Sequence, residues 1–215
     1  MATAQVWSGV AIAMQSAIAA SKTITGITAA TPPVVTSTAH GYANGTYVLI
    51  EAVAGMTQVN NRVFRVANQA ANTFELESVV GAGFTAYASG GTAKAITFGT
   101  SLGTVKGLTG SGGEAKKIDT TTVHDTADQQ VFGNTSPLEY QFENVWDTAD
   151  AGLIAMQTAS TLKAERAFKF TFASGQIMAC NGTVSASGAP VGSAQDLVTT
   201  PSNISMKGTP TYYTS

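Results

Sequence analysis

The sequence predicts a mainly β protein, a β-sandwich or β-barrel packed by one α-helix, with a small β-module near the N-terminus. Three observations predict it. Short runs of β-branched and aromatic residues recur along the chain, separated by Gly- and Asn-containing turn signals. Within several of these runs polar and apolar residues alternate, which is the period of a strand with one wet face. One stretch breaks that rhythm: Ala151, Ile154, Ala155, Thr158, Ala159 and Leu162 fall at helical spacing on a single face.

Punctuation divides the chain into three zones. Residues 1–32 form an Ala/Ile/Val/Thr segment that reads as strand or helix, with strand-like alternation from Thr23 to Thr28, and Pro32-Pro33 stops any helix there. Residues 33–93 read as the compact β-module. Its strand candidates are Val34 to Thr38, Tyr47 to Ala52, Arg62 to Ala67 and Thr73 to Val79, separated by turns such as Asn44-Gly45 and Asn60-Asn61. Alternation in Val63-Phe64-Arg65-Val66 and Phe74-Glu75-Leu76-Glu77 predicts one buried and one wet face for each of those two strands.

Residues 94–215, together with 1–32, are expected to build the main fold. A glycine-rich stretch, Gly103 to Gly113, reads as a mobile loop. Strands are expected at Lys117 to Val123 and Leu138 to Val145. The helix then starts after Asp147 or Thr148 as cap, with Asp150 at the positive end of its dipole, Trp146 stapling its start, and Lys163 and Arg166 at its negative end. Phe168, Phe170 and Phe172 alternate with Lys169 and Thr171, so three rings share a sheet face. Ser174-Gly175 turns the chain into a return strand over 176–186, and final strands are expected near 197–200 and 203–207.

Composition narrows the function. Charged residues make up 11% of the 215, against roughly 25% for a typical soluble domain. So little charge suits a subunit whose surface is covered by neighbours better than a free monomer. A net charge of −2 leaves no broad basic footprint for holding nucleic acid. Cys180 is the sole cysteine, so an intrachain disulfide is excluded, and its apolar neighbours suggest a buried thiol. No lysine or arginine precedes Lys22, so the N-terminal apolar run lacks the positive start of a secretory signal. No stretch reaches the about 18 uninterrupted apolar residues of a membrane span. A soluble protein made in the cytoplasm is expected.

Catalytic patterns are missing from the sequence. His40 and His124, the two histidines, have no zinc-type spacing with Cys180. His124 precedes Asp125, but no nucleophile-elbow serine completes a triad. The run Gly103, Gly107, Gly110, Gly112 and Gly113 lacks the terminal Gly-Lys-Ser/Thr of a phosphate loop. One charge pattern rises above this background. Between Lys117 and Lys163 lie Asp119, Asp125, Asp128, Glu139, Glu143, Asp147 and Asp150, with no lysine or arginine among them. The helix N-terminus accounts for Asp147 and Asp150. The other five are candidates for a negative wall that repels a passing polyanion.

Three stretches carry a resemblance to a known family. KKIDTTTVHDTADQQVFGN (116–134) is similar to the strand in which phage tail tube proteins carry an I-D-x-T-x-x-x-D pattern before a Gly-containing turn. PLEYQFENVWDTADAGLIAMQTA (137–159) resembles their strand-then-helix element, and FKFTFASGQIMACNGTVSAS (168–187) their hairpin. Residues 33–93 resemble the small FCCH-like β-module found in several kinds of phage virion protein. The resemblance implies a tail-tube-type β-sandwich or barrel without enzymatic activity or cofactor. It implies a virion subunit forming hexameric rings stacked into a tube that conducts DNA. The tape measure, tail terminator and distal tail proteins would be its partners. On this reading Asp119, Asp125, Asp128, Glu139 and Glu143 face the lumen, Gly103 to Gly113 orders between subunits, and the module decorates the outer surface.

Other readings stay open at this point. The chain could be a tail terminator, completion or capsid decoration protein. As a carbohydrate-binding module it would need Tyr42, Tyr47 and Tyr87 to meet at the surface, since Trp7 and Trp146 lie far apart in sequence. A hydrolase would have to use His124 and Asp125.

Overall fold

The computed structural model describes residues 6–214. The chain opens with β1 (Ala11–Ile18) and two short strands, β2 (Lys22–Thr23) and β3 (Gly26–Ile27). The module follows as β4 (Val34–Thr36), β5 (Tyr47–Ala54), β6 (Arg62–Ala67) and β7 (Thr73–Leu76), and β8 (Ser89–Ser101) leaves it. Then come β9 (Val105–Ser111), β10 (Ala115–Asp119), β11 (Gln130–Thr135), β12 (Glu139–Val145), the helix α1 (Ala151–Thr161), β13 (Glu165–Thr171), β14 (Ile177–Ala186) and β15 (Thr199–Tyr213). The fold is mainly β with one helix, as the sequence predicts.

Thirteen strands join in one curled sheet. Its order is β3-β4-β7-β6-β5-β8-β1-β13-β14-β15-β12-β9, with β2 attached to β8 and the β10–β11 pair standing apart. Three apolar clusters fill it. The first, inside the module, gathers Ile24, Val48, Ile50, Phe64, Phe74 and Leu76. The second, inside the body, gathers Met14, Phe142, Phe168, Phe170, Met178 and Ile204, closed by Met156 and Ala159 of α1. The third lies between the two halves: Leu49, Val63 and Ile96 meet Ala167, Ala179 and Tyr213.

The third cluster explains the run Val48-Leu49-Ile50. Val48 and Ile50 point into the module and Leu49 points at the body, so β5 is apolar on both faces. The same holds for Val63 and Phe64, both fully buried. The expected wet face of β6 is therefore a second buried face, whereas Phe74 and Leu76 of β7 are buried and Glu75 and Glu77 are not, as alternation predicts.

Several boundaries differ from expectation. Residues 93 and 94 both lie inside β8, and Ile24 and Ile27, from the first segment, sit in the module core. One strand therefore runs through the expected limit between module and body. The Gly103 to Gly113 stretch is mostly strand, because Val105–Ser111 pairs with β12. The strand expected over Lys117 to Val123 stops at Asp119, and the Gly-containing turn expected near Gly133 is part of β11. The two final strands are one, Thr199–Tyr213.

The helix forms where expected but is capped and turned differently. Asp150 is its N-cap, its Oδ1 accepting from the Leu153 N–H at 2.7 Å. Its buried residues are Gly152, Leu153, Met156 and Ala159, while Ile154 and Leu162 are exposed. Gly152 fixes that rotation: a Cβ there would meet the Ser101 carbonyl oxygen at 2.5 Å, so the first turn lies directly against the end of β8. The predicted hairpin is present, with Phe168 and Phe170 fully buried and Gly175 in the turn at a φ of 85°.

Candidate assembly interface

Two surfaces stand out as able to meet another molecule. The first is the free edge at β9. This strand pairs with β12, from Glu139↔Ser111 to Asn144↔Val105, and nothing pairs with its other side among the described residues. The curl of the sheet brings β9 near the start of β1 without joining them. Between them a cleft of about 260 Å³ is lined by Trp7, Val10, Ile12, Val105 and Leu108. An unpaired strand edge presents a row of backbone donors and acceptors ready for a partner strand.

The glycines expected to act between subunits distribute along this edge. Gly103 lies in the link between β8 and β9. Gly107 sits opposite Glu143 and Gly110 opposite Tyr140. Gly112 and Gly113 follow the strand at φ values of 82° and 80°, and a Cβ on Gly112 would strike the Pro137 carbonyl oxygen. Only glycine fits that turn, which leads into the second surface.

That surface is the β10–β11 arm. Among the described residues its strands pair only with each other, Ile118 opposite Val131 and Lys117 opposite Phe132. The arm is rooted by hydrogen bonds from Gly113 N–H to the Ser136 carbonyl and from Ser136 N–H to the Glu114 carbonyl. Its apolar side chains are bare: Phe132 is 75% exposed and Val123, at the tip, 95%. Phe132, Val131 and Ile118 are invisible as a surface in the sequence, since a strand pattern does not say whether anything covers it.

The acidic residues divide between these surfaces. Asp119, Asp125 and Asp128 belong to the arm. Asp125 Oδ2 accepts from the Thr122 N–H at 2.7 Å and from its hydroxyl at 2.9 Å, which holds the Asp125 carboxyl below its ordinary value; bonds from Thr121 do the same for Asp119. Glu139 and Glu143 point outward from β12, and Glu143 lies 3.4 Å from Lys106 in an exposed pair of small energetic weight. Register places Glu139, Ser205, Thr183 and Glu165 in one row across the sheet. Ala167, two residues beyond Glu165, is covered by the module. The glutamates and the module thus occupy different ends of one sheet face.

Residues behind the other readings sit elsewhere. Tyr42 is buried, its hydroxyl donating to the Ala93 carbonyl at 2.8 Å, and burial pushes it up to about 12. The Tyr87 hydroxyl donates to the Ile24 and Gly90 carbonyls. These rings serve the module core and do not form a surface cluster. His40 is buried too, with Nε2 donating to the Ala70 carbonyl and Nδ1 accepting from the Tyr42 N–H. Asp125 spends its oxygen on Thr122, and no hydrogen bond joins it to the His124 ring among the described residues. Cys180 is buried in the body core, and its thiol is pushed up to about 12 by burial.

A model of the phage tail tube protein family matches residues 54–215, more than half of the chain. The chain belongs to that family. This tail tube protein is therefore a structural component of a phage virion, located in its tail. The match begins at the last residue of β5 and takes in β6, β7 and β8, so the second half of the module lies inside the family's own span. No curated protein matches the chain. No described helix is long and apolar enough to cross a membrane.

Proposed function

We propose that this tail tube protein closes into rings, hexameric by family resemblance, that stack into a hollow tube through which DNA leaves the virion. Ring closure is carried by one observation, the unpaired edge of β9 at the end of a thirteen-stranded sheet. Pairing that edge with a neighbouring copy removes it, and closure of the ring removes it in every copy. The loop role expected of Gly103 to Gly113 becomes an edge role: Gly107 and Gly110 keep β9 thin enough for a second backbone to approach.

Glu139 and Glu143 form the negative wall of the lumen in this reading. They do so if β12, beyond β14 and β15, curls away from the module, which stays on the outer surface. Asp119, Asp125 and Asp128 then line the passage only where the arm reaches it. The subunit is made in the host cytoplasm, has no catalytic task, and surrounds the tape measure protein, with terminator and distal tail proteins at the tube ends.

Negative-stain electron microscopy of the purified chain, dilute and concentrated, tests the reading. Rings or hollow tubes are expected. A chain that stays monomeric even when mixed with tube fragments sheared from the virion would sink it. Reversing Glu139 and Glu143 to lysine should slow DNA passage through correctly built tubes, and unchanged passage removes the wall.

A further inference from the structure

Lys207, Glu165 and Asn181 form a polar cluster that assembly leaves without a task. β13, β14 and β15 lie side by side, so the ion pair from Lys207 Nζ to Glu165 Oε1, at 2.5 Å, reaches across β14. The two outer backbones it joins are about 10 Å apart at the usual strand spacing. Asn181 lies under that span. It sits opposite Lys207 of β15 and opposite Ala167 of β13, and its Nδ2 donates to Glu165 Oε2 at 3.2 Å. One carboxylate therefore holds a lysine amine with one oxygen and an asparagine amide with the other.

The amide is set apart in a second way. Asn181 is 1% exposed, beside the fully buried Ala167 and Ala179, and its Oδ1 accepts no hydrogen bond among the described residues. A buried carbonyl oxygen without a donor is costly and calls for a reason. Once Glu165 has taken a proton it can donate to Oδ1, which supplies the missing partner and polarises the carbonyl for attack.

We infer that Lys207 and Asn181 join in an isopeptide bond within one subunit, with Glu165 moving the protons. A lysine amine is a nucleophile when an adjacent base relieves it of its proton, and holding both reactants on one carboxylate replaces a slow encounter. Lys207 Nζ gives a proton to Glu165, and its freed lone pair attacks Asn181 Cγ. Glu165 passes that proton to Nδ2 and takes the second one from Nζ. The Cγ–Nδ2 bond breaks, and ammonia leaves, carrying the last proton to solvent as ammonium. One Nζ–Cγ amide forms, one carboxamide is lost, and nothing is oxidised or reduced.

The bond falls where β15 passes from body to module. Lys207 precedes Gly208, which is held at a φ of 71° with Arg62, Asn60 and Asn61 against it. On β14 the bond adjoins the register shift between Ala179 and Asn181. A covalent tie there stops β15 from slipping or peeling away from β14.

The intact mass of the denatured chain reads the bond directly. The parent should be lighter than its sequence by one ammonia, and proteolysis should release a branched peptide joining the segments around Asn181 and Lys207. Lys207→Arg keeps the charge without the nucleophile, and Glu165→Gln keeps the shape without the base; both should show the full mass. The branched peptide in the parent requires no variant to fold. Ammonia can also leave by succinimide closure at Asn44-Gly45 or Asn181-Gly182. A loss that persists in Lys207→Arg is that reaction and overturns the bond. A parent of full mass, whether freshly purified or recovered from virions, overturns it as well. A branched peptide that forms equally well in Glu165→Gln overturns the part given to Glu165. None of these results bears on whether copies build a tube.

Discussion

Tyr213 shows how much one side chain can join. Its hydroxyl accepts from the Arg65 N–H at 2.7 Å, its ring lies under the Arg65 guanidinium at 4.5 Å, and it belongs to the cluster between module and body. Arg65 is in turn fixed by Glu77. Tyr213→Phe keeps the ring but strips the acceptor from that N–H, so a loss of about 1–2 kcal/mol is expected in denaturant unfolding. Cys180 gives a second residue-scale expectation. Burial disfavours its thiolate, so the folded chain should resist thiol reagents at mildly alkaline pH and react with one equivalent once unfolded. The burial of Cys180 was legible in its apolar neighbours. The place of Tyr213 was not, because its partners lie about 150 positions away in the chain.

At the scale of elements, the helix and the arm separate what periodicity can tell from what it cannot. Spacing located α1, but Ile154 and Leu162 face solvent because the close approach of Gly152 to Ser101 turns Leu153 and Met156 inward. A pattern of small and apolar residues fits two faces almost equally well, and only the neighbouring backbone chooses. Asp150→Ala removes the cap on Leu153 and should cost about 1 kcal/mol in unfolding free energy, with a smaller change for Asp147→Ala, whose carboxylate caps the turn before the helix at Ala149. The arm's tip carries a pH dependence. The Asp125 carboxyl is held below its ordinary 3.8 by Thr122, so its folded value lies under its unfolded one. Its contribution is complete above the unfolded value and is lost as pH falls through the folded value. Amide exchange at Thr122 should therefore quicken in strong acid, and Asp125→Asn should show the faster exchange already at neutral pH.

For the whole molecule, the decisive feature is that module and body share a sheet. β8 runs through both, and the end of β15 returns from the body to clamp β6: Thr211 donates to the Val63 carbonyl at 2.6 Å and Arg62 Nε to the Thr209 carbonyl at 3.0 Å. A chain cut after Gly208 loses these bonds along with Tyr213. Hydrogen exchange should then rise across β5 and β6 while the Phe142 and Phe168 core stays protected. Equal protection of β5 and β6 in the cut chain would show that β8 alone holds the module. A rigid module seated on one end of the sheet face also fixes where neighbours fit, since the face beyond it, at Glu139 and Glu143, and the β9 edge remain open.

The sequence by itself determined the fold class, most of the strands, the hairpin around Ser174-Gly175 and the family, because these depend on local period, turn chemistry and short motifs. It also determined that the surface is poor in charge. Tertiary structure alone decided which strands are buried on both faces, that a glycine-rich stretch is an edge strand, and that Ile118, Val131 and Phe132 stand bare on an arm. The physical reason is the same in each case. A strand's period reports that a face is apolar, whereas what covers that face, or leaves it open for another subunit, is set by contacts between residues far apart in the chain.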